Sequence, residues 1–251
     1  MGEIVIGPQS GMNWFPLSET DIPCPRTKST VDSVRTWAES YLTDHVPELG
    51  REGPVCPYVR PSLRRDLMWV GRVPGVRPWP SYVRLVIEDA LELFGRLAPT
   101  EGGGSALRAI VTALPDLRDF SLIDRLHDEL KSRFVERGFM LGQFYPGCKE
   151  PGLWNKDFHP LDTPIPMLVV RSMMATDFPF LLGRPEWMAA YVKKFAPTLP
   201  AHVRHVMVSR LTASSDTDVP AYEFQDEPET NGAPSTRKNA TPISATTRRA
   251  G

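Results

Sequence analysis

The chain has 251 residues, a formal net charge of −1, 41% hydrophobic and 24% charged residues. That length suffices for one sizeable core or two small ones, and the balance is that of an ordinary soluble globular protein. Basic and acidic residues are intermixed, which excludes an electrostatic footprint for nucleic acid, and no apolar run approaches the roughly 20 residues a membrane-spanning helix needs. The opening MGEIVIGPQSGMNWF lacks a basic start followed by an apolar core, so it does not read as a secretory leader. Three cysteines, at 24, 56 and 148, make no disulfide framework. A cytoplasmic protein is expected, without nucleic-acid or membrane partners.

Residues 1–30 carry Gly, Pro, Ser and Thr with little periodicity and read as an irregular N-terminal arm, anchored by Trp14 and Phe15. From Ser29 to about His45, Val31, Val34, Trp37, Ala38, Tyr41 and Leu42 recur at helical spacing, with Pro47 as the stop. A Pro-punctuated loop leads into a strand over 67–73, followed by a helix over 79–97 with one apolar face. The turn APTEGGGS lacks the Gly-Lys-Ser/Thr of a phosphate-binding loop and is a connection to a strand over 106–114. Residues 121–137 form the clearest helix, with Ser121 as cap, Gly138 at its end and His127 in a partly exposed structural role.

Two apolar runs then read as strands, FMLGQFY (139–145) and PIPMLVV (164–170), followed by a helix over 185–195 and a last strand or short helix over 201–211. Beyond residue 211 Ser, Thr, Pro, Glu and Asn dominate, too polar to offset chain entropy, so residues 212–251 are expected as a disordered tail. The fold class predicted is α+β (or α/β): a single domain over 31–211, with a mixed central sheet flanked by helices. No Gly-x-Gly-x-x-Gly follows the first strand, which disfavours a dinucleotide-binding domain.

Candidate chemistry gathers in the loop between the two apolar strands, over 143–162, rich in Cys148, Trp154, Asn155, Lys156, Asp157, His159 and Asp162. His159 has Asp157 and Asp162 near enough in sequence to orient a ring nitrogen, as a general base or a metal or axial ligand; the alternative is a loop histidine bonded to backbone. Arg60, Arg64 and Arg65 beside Cys56 suit an oxyanion, or a solvated turn with local ion pairs. Cys56 is a reactive or ligating thiol or a buried structural one, and Arg171 meets a carboxylate or is a strand-end charge. His202 and His205 share a face only if their segment is helical. Hydrolase motifs of the Gly-x-Ser-x-Gly and Ser-x-x-Lys types are absent, as are Cys-x-x-Cys and His-Glu-x-x-His.

PVCPYVRPSLRR, the block FVERGFMLGQFYPGCKEPGLWNKDFHPLDTPIPMLVVRSM and the following DFPFL resemble a family of bacterial proteins known mainly from actinomycetes and catalogued as a domain of unknown function. The resemblance covers most of residues 30–211 and implies small-molecule chemistry in natural-product pathways. PVCP at 54–57 and VVR at 169–171 also resemble the YqcI/YcgG haem-dependent amine hydroxylases. That likeness implies haem as cofactor, Cys56 or His159 as axial ligand, Arg60, Arg64 and Arg171 at the propionates, and an amine or amino acid as substrate. A small-molecule enzyme is thus expected, or a non-catalytic ligand-binding or pathway-accessory protein.

Overall fold

The computed structural model describes residues 3–97 and 104–195. The Gly-rich stretch over 98–103, the element predicted at 201–211 with its His202–His205 pair, and the tail from 212 lie outside the described residues. Six strands form one mixed sheet: β1 (Val5–Ile6), β2 (Asn13–Pro16), β3 (Met68–Arg72), β4 (Ala109–Ala113), β5 (Phe139–Phe144) and β6 (Met167–Ser172), in the order β1-β2-β3-β4-β6-β5. Among neighbouring strands only β3 and β4 run parallel, joined through the crossover helix of residues 80–96; the other pairs are antiparallel. The helices are α1 (Pro25–Trp37), α2 (Val59–Arg64), α3 (Pro80–Arg96), α4 (Ser121–Glu136) and α5 (Pro185–Phe195). This is a mixed-sheet α+β domain.

Strand alternation sorts the core into two layers. Trp14, Trp69, Ile110, Leu141, Leu168 and Val170 point to the face covered by α3 and α4, which supply Val83, Ile87, Phe94, Ile123, Leu126 and Phe134. Phe15, Met68, Val70, Val111 and Met167 point to the other face, under Val31, Val34 and Trp37 of α1 and Val59 of α2. A third, smaller cluster seats α5, through Met188 and Tyr191, against Val135 and Met140.

The expected irregular arm is instead part of the sheet, as β1 and β2. Trp14 is wholly buried and its indole N–H reaches Thr112 Oγ1 on β4 at 3.3 Å. The space for that ring comes from Gly71 on the neighbouring strand, where an added Cβ would lie 2.7 Å from Trp14 Cδ1. The turn joining β1 to β2 closes on Asp89 of α3, whose buried carboxylate accepts the N–H groups of Gln9 (3.2 Å) and Ser10 (2.7 Å).

The first helix begins at Pro25, four residues before the expected Ser29, because proline suits the first helical turn, where no N–H is needed. It ends in a π turn over Ala38–Leu42. Ser121 does not cap α4: the cap position is Phe120, without a side-chain cap, and Asp119 Oδ1 just before it accepts both the N–H (3.1 Å) and the hydroxyl (2.6 Å) of Ser121. At the other end Gly138, with φ of 79°, turns the chain directly into β5. The helix therefore lies antiparallel against the strand that follows it.

Candidate functional site

The long loop between β5 and β6 is clasped by its own polar groups. Tyr145 N–H reaches Leu161 O at 3.3 Å, Gly152 N–H reaches Phe158 O at 2.6 Å, and Asp162 N–H reaches His159 O at 3.1 Å. Asp162 Oδ1 accepts Gly147 N–H at 2.8 Å, and Asn155 Oδ1 accepts Asp157 N–H at 2.9 Å. Asn155 Nδ2 also ties the loop to Glu48 O at 2.8 Å. Asp157 and Asp162 are exposed and His159 half-buried. Asp162 thus holds the loop closed through Gly147, and Asp157 enters through its backbone. Neither carboxylate is the orienting partner that His159 was expected to have.

The second expected group does converge, in a different way. Arg171 closes β6 with its guanidinium forked on Asp177, at 2.7 Å and 2.6 Å, and Nη1 also donates to Ser172 O at 3.1 Å. Tyr58 shares a 2.9 Å hydrogen bond with Thr176, drawing the Cys56–Tyr58 turn towards this end of the strand. Burial pulls the Arg171 guanidinium down, but Asp177, with smaller help from Cys56 and Tyr58, outweighs it and holds the proton more firmly. The PVCPYV, VVR and DFPFL segments therefore meet in space. Arg60 points elsewhere, to Thr43 O at 2.8 Å, and Arg64 is exposed on α2.

A group of which the sequence reading covered only the 143–162 part, naming Cys148 but not Asp124 or His127 of α4, lies between α4 and β5. Tyr145 O–H donates to Asp124 Oδ2 at 3.1 Å, and the thiol of Cys148, itself buried, bonds to the same phenol. Burial, Asp124 and Cys148 all push the Tyr145 hydroxyl up, so it is a protonated donor. One turn along α4, the His127 ring lies near the Leu141 carbonyl of β5, which favours a ring N–H towards it. Its pKa is lowered from 6.5, first by burial and then by Lys131, so the ring is neutral. Its Nδ1 is 3.4 Å from Asp128 Oδ1 but lacks the alignment of a hydrogen bond.

Three side-chain atoms in this layer are buried without a hydrogen-bond partner: Asp124 Oδ1, His127 Nδ1 and Gln143 Oε1. Gln143 is only 7% exposed. Two signals for the layer were legible: a glutamine inside the apolar run FMLGQFY, and Asp124 and His127 three apart between the apolar positions 123, 126 and 130. What makes them a group is the pairing of α4 with β5.

The thiols differ sharply. Cys24, exposed at the start of α1, is lowered by the hydroxyl and then the N–H of Thr27, with Arg72 adding a smaller pull. Cys148 is raised, chiefly by burial.

Two of the residues expected to hold haem, Arg60 and Arg171, already have protein partners. A bay of about 110 Å³ is lined by Leu17, Arg35, Leu63, Asp66 and Met68 among others, and touches none of Cys56, His159, Arg60, Arg64 or Arg171. Its volume is below the roughly 300 Å³ of a small-molecule pocket, far too small for a porphyrin. The forks of Arg60 and Arg171 are engaged by Thr43 and Asp177. Among the described residues no three His, Cys, Asp or Glu side chains gather to hold a metal ion, and no helix is long and apolar enough to cross a membrane. A family model described as a domain of unknown function (DUF6875) matches residues 31–206. No curated protein matches the chain, and no solved structure does.

Proposed function

The chain belongs to the DUF6875 family, and from that premise we propose that it is an enzyme acting on a small molecule by proton transfer in the layer between α4 and β5. One observation carries the reading: Asp124, His127 and Gln143 each keep a buried polar atom without a protein partner. Buried polar groups are nearly always paired, and each orphan costs about 1–3 kcal/mol. Three in one layer favour a ligand that completes them. With its N–H on Leu141, neutral His127 carries the lone pair on Nδ1 and is the base. Tyr145 holds Asp124 in register through its hydroxyl, and Gln143 orients the bound molecule.

Cytoplasmic placement and a role in a biosynthetic, natural-product pathway belong to the same proposal; three free thiols fit a reducing compartment. No step is routed through haem, since the forks of Arg60 and Arg171 are already taken by Thr43 and Asp177.

Incubating the purified protein with a bacterial metabolite extract and following it by mass spectrometry tests the reading. We expect compounds consumed by the wild type to be consumed at least tenfold more slowly by His127→Gln and at an unchanged rate by Cys56→Ala. A compound retained but never converted points instead to a ligand-binding accessory protein and overturns the enzyme. A stoichiometric Soret band in protein made with iron and haem precursor, lost in Cys56→Ala or His159→Ala, overturns the cofactor-free chemistry.

A further inference from the structure

We infer that the open arms of the α4–β5 layer take a small protonated amine, an inference that rests on the reading of that layer as the functional site. Position comes first. Asp124 and His127 stand one turn apart on α4, so their side chains rise from one face about 5–6 Å apart. Leu141, Gln143 and Tyr145 alternate onto the face of β5 that α4 covers, about 6–7 Å between successive members. Asp124 meets Tyr145 at one end, and His127 meets the Leu141 carbonyl at the other. Gln143, whose Oε1 is buried without a partner, falls between them along the strand.

The chemistry of the open atoms then selects the guest. Asp124 Oδ1 is an acceptor; Gln143 presents a carbonyl oxygen; His127, with its N–H committed to Leu141, presents the lone pair of Nδ1. All three accept and none donates. One of them is a carboxylate whose only side-chain partner among the described residues is the neutral Tyr145 hydroxyl. Asp124 pushes the Tyr145 hydroxyl up, and Glu150 and then Asp124 push Cys148 up, while Lys131 supplies an opposing positive charge on the His127 side. A primary ammonium group carries three N–H donors and one positive charge, which matches three acceptors and one uncompensated carboxylate.

A metal ion shares the charge but not the ligand set. Structural and catalytic metal sites draw on at least three carboxylate, imidazole or thiolate groups, and the layer offers one carboxylate and one imidazole. Its thiol, Cys148, is held as the neutral acid by burial and already bonds to Tyr145. Bound next to Nδ1, the ammonium loses a proton to His127: an N–H bond of the guest breaks, the Nδ1–H bond forms, and the amine lone pair is released for reaction.

Thermal unfolding midpoints measured with primary ammonium ions from ethylammonium to putrescine, with their isosteric alcohols, and with Mn²⁺ or Zn²⁺ test this. An ammonium ion should raise the midpoint where its alcohol does not, and Asp124→Asn should weaken its binding at least tenfold. Gln143→Leu, which removes an unpaired amide and should fold without penalty, should weaken it as well, so the test survives a poorly folded Asp124 variant. An alcohol equal to its ammonium ion overturns the inference, as does a metal ion that binds through Asp124 where no ammonium does. If no ammonium ion binds while His127→Gln still abolishes conversion of a compound in the extract, the amine is wrong and the enzyme stands.

Discussion

Two polar groups sit on neighbouring strands of this sheet, β6 and β5, and they are built on opposite terms. At the end of β6, Arg171 and Asp177 leave little open: the fork is filled, the carboxylate also takes Met174 N–H at 2.7 Å, and Tyr58 is tied to Thr176. Between α4 and β5, Asp124, His127 and Gln143 each keep a buried polar atom without a hydrogen-bond partner. A satisfied network in low dielectric fixes a structure; a half-satisfied one is costly and persists where something else completes it. The first joins the Cys56–Tyr58 turn to the segment after β6. The second has the character of a binding layer.

The comparison breaks most visibly if the satisfied group is cut. Asp177→Ala strips the partner from Arg171 and orphans Met174 N–H. Breaking a buried pair costs about 3–5 kcal/mol, and since the Arg171 side chain is 36% exposed, water compensates part of the loss. We expect about 2–3 kcal/mol of destabilisation in urea unfolding, with ammonium binding in the folded protein unchanged. A loss below about 1 kcal/mol would mean that the knot is not structural.

The half-satisfied layer should answer in the opposite sense. Gln143→Leu exchanges an unpaired buried amide for an apolar side chain of similar size, so stability should hold or rise by about 1 kcal/mol while binding is lost. A destabilised variant would mean that the amide has a structural partner in solution, and the contrast between the two groups would fall.

The strongest elements were legible from periodicity alone. For α3, α4, β5 and β6 the apolar spacing marks both type and position, and the structure keeps them within a few residues. β1 and β2 were not, because they span two and four residues and are held by distant groups: Trp14 in the notch at Gly71, and a turn closed by Asp89 some 80 positions away. No local window carries that information. The site divided the same way. Composition pointed to the loop around His159, yet its polar residues are largely occupied in clasping the loop itself. Gln143 stands at the very start of that span and His127 on the preceding helix, and their significance depended on α4 folding back antiparallel to β5, a consequence of the turn at Gly138.

The smallest expected effect is the one that isolates His127. Its folded pKa is lowered below the ordinary 6.5 by burial and by Lys131, with Asp128 and the Leu141 carbonyl opposing. Between the two values the unfolded chain binds more protons than the folded one, so stability rises with pH across that window. It is full above 6.5, is lost as pH falls through that value towards the lowered one, and levels off below it. His127→Gln cannot titrate and should flatten this part of the stability–pH curve, leaving the more acidic carboxylate region unchanged. An ammonium ion seated beside Nδ1 should deepen the same dependence, because a protonated ring and a protonated amine repel. A wild-type curve already flat between pH 7 and 5 would mean that His127 reaches water, and the contrast with the closed Arg171 knot would then rest on Asp124 and Gln143 alone.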